Sequence, residues 1–120
     1  MKVLIVERDI PLLETMKQIC DEENLTPILA ASLDQAKKLL SQGYLPDLII
    51  CDEFVPQLQG EVWMKEMSDH KDWKKIPFVL MRSRRNKDKS VPAMELMKPF
   101  SINDVLELFV KVRLSSQTPT

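Results

Sequence analysis

Five short apolar runs, separated by segments of helical periodicity, are the feature that most constrains the fold of this chain. They occupy residues 2–7, 26–31, 47–52, 76–81 and 93–97. Each run is continuously apolar rather than alternating, which is typical of strands covered on both faces of a sheet. Because parallel strands need long crossovers, the pattern predicts an α/β domain with a doubly wound, five-stranded parallel sheet.

The segments between the runs carry helix signals at their ends. Ser32 with Gln35 predicts a capping box at the start of the second helix, and Gly43 stands where a glycine would end it. Ser101 is placed to cap the last helix. The positions predicted to face the core in the third helix, roughly 61–69, and in the last helix are Val62, Met64, Met67, Val105, Leu108, Phe109 and Val112.

Length and composition indicate one domain. A chain of 120 residues divided into two cores would leave each near the limit of independent stability, so we expect a single domain over 1–114. The polar tail, 115–120, is either an end or the start of a linker to an output domain. With no export signal, no membrane-length apolar run and no disulfide framework, we expect a cytoplasmic protein.

Several function classes are excluded by what the sequence lacks. The chain has two glycines, Gly43 and Gly60, so no glycine-rich nucleotide loop can be formed. The single histidine, His70, lies in a polar run, and a Ser/His/Asp or Cys/His catalytic set would depend on it alone. We therefore do not expect an enzyme.

Charged side chains stand at the carboxyl ends of the predicted strands. Glu7 and Arg8 follow the first strand, Asp52 ends the third, Arg82 follows the fourth and Lys98 follows the fifth. Ligands of doubly wound sheets bind at this edge. Carboxylates that face a lysine there predict a site for a hard cation or a phosphoryl group.

On these residues the sequence resembles the receiver domain of two-component response regulators. The matching segments are VLIVERDIPLL, PDLIICDEFVPQLQG around Asp52, and KPF at 98–100. The resemblance covers essentially residues 2–114. It implies the flavodoxin-like strand order 2-1-3-4-5, a role in phosphorelay signal transduction, and a histidine kinase or phosphotransfer protein as partner.

The resemblance also implies roles for individual residues. Asp52 would be the phosphoacceptor and Lys98 would contact the phosphoryl group. Mg²⁺ would be held by Asp52 and by acids after the first strand, here Glu7, and the Lys98–Pro99 peptide would be cis. This chemistry is reasonable, because a carboxylate nucleophile needs nearby cations to offset the charge of an incoming phosphate.

Three positions near the site depart from the family pattern. Arg8 stands where a second acid normally binds the metal, Arg82 where a Ser or Thr ends the fourth strand, and Glu95 where an aromatic residue precedes the lysine. We expect Arg8 or Arg82 to pair with Asp52 as regulatory residues, because guanidinium groups pair with carboxylates in two-point geometry. Mg²⁺ binding would then be weak or absent, since the predicted pocket carries a net positive charge.

The stretch between Arg82 and Lys98 is also shorter than in the family, which predicts a shortened or missing fourth helix. That would bare apolar surface near Met94 and Leu96, which a protein partner or a second copy of the chain, giving a homodimer, could cover.

Three functions follow from this pattern. The first is an atypical receiver, or pseudo-receiver, with impaired Mg²⁺-dependent phosphorylation that acts as a protein-interaction module. The second is a working receiver, a phosphoprotein modified on Asp52 by a histidine kinase. A third, of another class, is nucleic-acid binding through the basic residues at 82–90, but no aromatic residue lies among them for base stacking and a solvated loop is favoured.

Overall fold

The computed structural model describes residues 1–55, 58–83 and 94–116. The strands are β1 (Lys2–Val6), β2 (Thr26–Ala30), β3 (Leu48–Asp52), β4 (Phe54–Val55), β5 (Leu58–Gln59), β6 (Phe78–Arg82) and β7 (Met94–Met97). The helices are α1 (Ile10–Glu22), α2 (Leu33–Ser41), α3 (Gly60–Asp69) and α4 (Ile102–Ser116).

The main sheet has five strands in the order β2-β1-β3-β6-β7, and every neighbouring pair is parallel. Counted along the chain, these five strands have the order 2-1-3-4-5, so the predicted fold class is confirmed. The short strands β4 and β5 form a separate antiparallel pair.

Apolar cores lie on both faces of the sheet, which explains why the strands are apolar without alternation. The core under α1 and α4 includes Ile5 and Phe109. The core under α2 and α3 includes Leu4 and Trp63. Successive strand residues point to opposite faces, so each strand supplies both cores. Within the described ranges, no helix combines the length and the apolar character needed to cross a membrane.

The predicted helix ends are confirmed. The Ser32 hydroxyl accepts a hydrogen bond from the Gln35 amide at 3.3 Å, and the Ser101 hydroxyl accepts one from the Asp104 amide at 3.1 Å. Gly43 has a φ of +94° directly after α2. Only glycine adopts this left-handed conformation without strain, which is why it ends the helix.

One inward position of α3 was predicted wrongly. Val62 is 40% exposed, whereas its neighbour Trp63 is 1% exposed. The Trp63 ring packs edge-on against Phe78 with centroids 5.3 Å apart. The larger side chain therefore decides which face of α3 turns to the sheet, and the buried positions follow the helical spacing from Gly60 through Trp63, Met64 and Met67.

The apolar surface predicted near Met94 and Leu96 is not an exposed patch in the structure. Leu96 is 4% exposed and belongs to the core, and Met94 packs partly buried against it. Several other predictions lie outside the described residues. They concern the fourth helix and the start of the fifth strand, within 84–93, most of the basic run at 82–90, and positions 117–120 of the tail.

Candidate functional site

Strand register brings Glu7 and Asp52 to the same end of the sheet. Val6 of β1 pairs with Cys51 of β3, so the residue that follows each of them lies at the shared carboxyl edge. Glu7 is 2% exposed and Asp52 is 7% exposed. Two adjacent buried carboxylates repel each other and lose hydration, so the arrangement requires a cation between them.

Lys98 supplies that cation from the end of β7. Its Nζ lies 2.9 Å from Glu7 Oε2 and 2.7 Å from Asp52 Oδ1. Burial by itself lowers the pKa of Lys98, but the hydrogen bonds and charges of Asp52 and Glu7 outweigh it and raise the pKa above its ordinary value. Lys98 is therefore a permanent cation at neutral pH that binds both carboxylates at once.

The remaining oxygens of the two carboxylates accept backbone hydrogen bonds. Asp52 Oδ2 accepts one from the Phe54 amide at 3.2 Å, and Glu7 Oε1 accepts one from the Asp9 amide at 3.1 Å. Each carboxylate oxygen thus has a donor. The site is a closed set of charge-assisted hydrogen bonds, which fixes the positions of both carboxylates.

Gly60 allows α3 to begin against the backbone of Asp52. A Cβ at this position would collide with the backbone carbonyl oxygen of Asp52. The Gly60 amide also donates to the Glu53 carbonyl at 2.8 Å. Gly60, the first residue of α3, is therefore required for close packing next to the site.

The two cysteines are buried free thiols. Burial, followed by the charges of Asp52 and Glu7, raises the pKa of the Cys51 thiol. Burial also raises the pKa of Cys20, to about 11. Neither thiol is ionised at neutral pH, so neither is an activated nucleophile.

Arg82 lies in a second cluster of charges. It is 7% exposed and its guanidinium contacts three carboxylates. Its nitrogens lie 3.7 Å from Glu53 Oε2, 3.2 Å from Glu61 Oε2 and 3.0 Å from Glu95 Oε1. The Nε makes no hydrogen bond of good geometry, so its contact with Glu95 is ionic rather than directional. This cluster joins the end of β6 to the end of β3, the start of α3 and the edge strand β7.

The prediction that Arg8 or Arg82 pairs with Asp52 is wrong. Arg8 is exposed, and Arg82 pairs with glutamates. Strand alternation explains the second case, because Asp52 lies in register with Met81 and the next residue, Arg82, points to the opposite face of the sheet. This parity depends on the register between strands, which the sequence does not give. The register also places Glu95, opposite Leu80, on the face of Arg82.

The charge distribution of the site differs from the predicted one for the same reason. Glu7, Asp52 and Lys98 form one group with a net formal charge of −1. Arg82 and its three glutamates form another group, with a net charge of −2. Glu53 and Glu61 are site acids that the sequence reasoning missed. The signals that could have indicated them are their positions, Glu53 directly after a strand end and Glu61 in the first turn of a helix.

The residues as arranged do not fit a bound Mg²⁺. In the described parts of the chain, no group of three or more His, Cys, Asp or Glu side chains is placed to hold a metal ion. Glu7 and Asp52 are the two carboxylates at the predicted metal position, and both are held by Lys98. The oxygens that Lys98 does not contact, Glu7 Oε1 and Asp52 Oδ2, accept hydrogen bonds from the Asp9 and Phe54 amides, and a metal ion there would have to replace those bonds.

The receiver class of domain is defined by a parallel sheet of this strand order. A buried aspartate ends its central strand, here β3, and a lysine follows its edge strand, here β7. The Lys98–Pro99 peptide is cis, as the resemblance implied. In its fold and in the residues at this edge of the sheet, the chain is similar to the receiver domains of two-component response regulators. No protein-family model matches the chain.

Comparison with known proteins supports this similarity. The phosphate regulon transcriptional regulatory protein PhoB of Escherichia coli is 25% identical over 111 residues, which cover 88% of this chain and 48% of PhoB. The chain thus spans about half the length of the curated relatives it matches. The signal receiver domain of a histidine kinase from Syntrophus aciditrophicus is 26% identical, covers 99% of this chain and 93% of its own, and has a TM-score of 0.83.

Two further solved structures share the fold. The chemotaxis response regulator CheY4 of Vibrio cholerae is 23% identical, with 92% of this chain and 97% of CheY4 covered and a TM-score of 0.82. The receiver domain of a sensor histidine kinase from Pseudomonas aeruginosa, which has a magnesium ion in its active-site cleft, is 16% identical. It has a TM-score of 0.79, with 92% of this chain and 94% of that one covered.

Proposed function

We propose that this chain is an atypical receiver domain in which Mg²⁺-dependent phosphorylation of Asp52 is impaired and which acts as a protein-interaction module in two-component signalling. The observation that carries the proposal is the bridge from Lys98 to both Glu7 and Asp52, with exposed Arg8 where the family has a further acid. The lysine offsets one of the two carboxylate charges that would otherwise attract a divalent ion.

The state of Asp52 supports the proposal. Oδ1 is held by Lys98 and Oδ2 by the Phe54 amide, so an attacking oxygen must first release one of these bonds. Among the described residues no third carboxylate joins Glu7 and Asp52 in a group that could hold a metal ion, so Lys98, which contacts both, would offset the charge of an incoming phosphoryl group. Arg8, next to the site in sequence, adds positive charge that further disfavours a divalent ion.

The arrangement of Arg82 also supports a departure from the usual receiver response. The family pattern has a small hydroxyl residue at this position, whereas Arg82 is tied to Glu53, Glu61 and Glu95 on the opposite face of the sheet from Asp52. Breaking such a buried set of ion pairs costs several kcal/mol. A phosphoryl group on Asp52 would therefore not readily draw Arg82 toward it.

A working phosphoacceptor is the second candidate, favoured by the burial of Asp52 beside a charged lysine. Its partner would be a histidine kinase or a phosphotransfer protein. Since the chain spans about half of its regulator relatives, we also propose an output domain or a separate effector protein as partner. We propose no turnover of small substrates and a cytoplasmic location.

Nucleic-acid binding through the basic run at 82–90 receives less support. Arg82, its first residue, is buried and paired with glutamates, so it is not available to a phosphate backbone. Arg84, Arg85, Lys87 and Lys89 lie outside the described residues.

Phosphorylation with acetyl phosphate tests the proposal. The chain, an Asp52→Asn variant and an Arg8→Asp variant would be incubated with acetyl phosphate and Mg²⁺, and their intact masses measured. We expect little or no phosphoryl adduct on the unmodified chain. We expect a clear adduct on Arg8→Asp, because restoring an acid beside Glu7 favours the metal ion, and none on Arg8→Asp combined with Asp52→Asn. A full adduct on the unmodified chain that is lost in Asp52→Asn would establish the working phosphoacceptor instead.

A further inference from the structure

A groove with a volume of about 470 Å³ lies between α2 and α3. The volume falls within the range of about 300–1,000 Å³ that is typical of ligand-binding clefts. Its apolar lining includes Trp63, which is 1% exposed, and Met67, which is 4% exposed. Most of its lining residues belong to the last turns of the two helices or follow α3 closely. Helices that connect parallel strands end at the amino edge of the sheet, so the groove lies toward the edge opposite to Asp52.

A stacked pair of rings after α3 forms one wall of the groove. The His70 and Trp73 rings lie nearly parallel, at an angle of 14° and with centroids 3.8 Å apart. Both residues are partly buried and both line the groove. A tryptophan held by a stacked neighbour loses little side-chain freedom on binding, and tryptophan is enriched among the residues that contribute most to protein interfaces.

The charge that the groove offers to a ligand is positive. Its charged lining residues are Lys37, Lys38 and Glu66, with a net formal charge of +1. Lys37 and Glu66 pair with each other across the two helices at 3.5 Å, which leaves the ammonium of Lys38. The His70 ring adds a hydrogen-bond donor, because its Nδ1 accepts a hydrogen bond from the Asp72 amide at 3.1 Å and its proton is therefore on Nε2.

The positive charge continues on the other side of Trp73. There Lys74 lines a smaller pocket of about 220 Å³, which shares Met67 and Trp73 with the groove. Lys38 and Lys74 are both exposed, and neither forms an ion pair with another residue that the structure describes. An apolar cleft between two unpaired ammonium groups is complementary to a ligand that carries apolar side chains and carboxylates together.

We propose that the groove between α2 and α3 is a docking site for a segment of a partner protein in which an apolar side chain stands beside Asp or Glu. The apolar side chain packs on Met67 and the Trp73 ring, and the carboxylate binds Lys38. The proposal rests on the proposed function in one respect, that the chain acts as a protein-interaction module, and it gives that module a surface and a partner chemistry. It does not involve the carboxylates or the lysine of the Asp52 site.

Selection from a display library of random short peptides tests the docking site. The whole chain is immobilised and the bound peptides are sequenced. We expect enrichment of peptides that carry an aromatic or aliphatic residue close to Asp or Glu. An enriched peptide, labelled with fluorescein, is then titrated with the chain. Both tryptophans of the chain line the groove, and we expect the indole N–H signal of Trp73 to shift in NMR spectra as the peptide binds.

Lysine variants test the role of charge. Lys38→Glu should raise the dissociation constant of the enriched peptide at least about fivefold, because it places like charges opposite one another. Lys111→Glu is the matched control, since Lys111 is exposed on α4, which packs on the other face of the sheet, and it should change the dissociation constant by less than about twofold. A peptide with Lys in place of its acidic residue should bind Lys38→Glu more tightly than it binds the unmodified chain.

Four results would each overturn the proposal: a selection that enriches no peptide, enriched peptides without acidic residues, equal effects of the two lysine variants, or a Trp73 indole signal that does not move. The mass measurement on Asp52 is independent of these results. A phosphoryl adduct together with intact peptide binding would refute only the impaired phosphorylation, and a failed selection without an adduct would refute only the docking site.

Discussion

Replacing Lys98 with methionine removes the cation that contacts both Glu7 and Asp52 in the described structure. Met keeps most of the side-chain volume but leaves two adjacent carboxylates, 2% and 7% exposed, with backbone amides as their remaining partners. Removing one member of a buried ion pair costs about 3–5 kcal/mol. Because the Lys98 side chain is 27% exposed, water can partly replace it, and we expect a loss near the lower end, about 3 kcal/mol at pH 7.

The loss should depend on pH in a defined direction. Although burial alone lowers the pKa of Lys98, the hydrogen bonds and charges of Asp52 and Glu7 raise it above its unfolded value. A group whose pKa is raised on folding contributes stability that is present below the unfolded pKa and falls as pH rises through the folded one. The deficit of Lys98→Met relative to the unmodified chain should therefore be fully present at pH 7 and shrink as the pH rises above about 10.4, the unfolded pKa of lysine.

Urea unfolding at pH 7 and pH 11, followed by the fluorescence of Trp63 and Trp73, measures both effects. Lys111→Met is the matched control, because Lys111 is exposed and unpaired in the described structure, and it should change the free energy of unfolding by less than about 0.5 kcal/mol. A loss below about 1 kcal/mol for Lys98→Met at pH 7, or an equal deficit at both pH values, would refute the account of the site.

Three other perturbations have defined outcomes. Arg82→Met leaves three glutamates without their shared cation and should lower the free energy of unfolding by about 3 kcal/mol, again measured in urea. Gly60→Ala forces a Cβ against the carbonyl oxygen of Asp52 and should cost at least about 2 kcal/mol, with a lower thermal midpoint. Cys20 and Cys51 are buried and have raised pKa values, so both should react with a thiol reagent only after denaturation; rapid labelling of the folded chain would contradict this.

The fold could be predicted from local pattern because each signal acts over a short distance. Continuous apolar runs require sheet faces covered on both sides, and the capping residues Ser32 and Ser101 form their hydrogen bonds within one helical turn. The orientation of α3 could not be read with the same certainty. Val62 and Trp63 are neighbouring apolar residues, and which of them faces the sheet depends on the contact of Trp63 with Phe78, a residue distant in sequence.

The sequence by itself determined the α/β class and the strand order implied by its resemblance. It also placed Glu7, Asp52 and Lys98 at the strand ends, where the two carboxylates contact the lysine. These follow from period, spacing and the rule that parallel strands share one carboxyl edge. Only the tertiary structure decided which charges face each other. Strand parity turns Arg82 away from Asp52 and toward Glu53, Glu61 and Glu95, because electrostatic pairing depends on distances of a few ångströms between residues far apart in the chain.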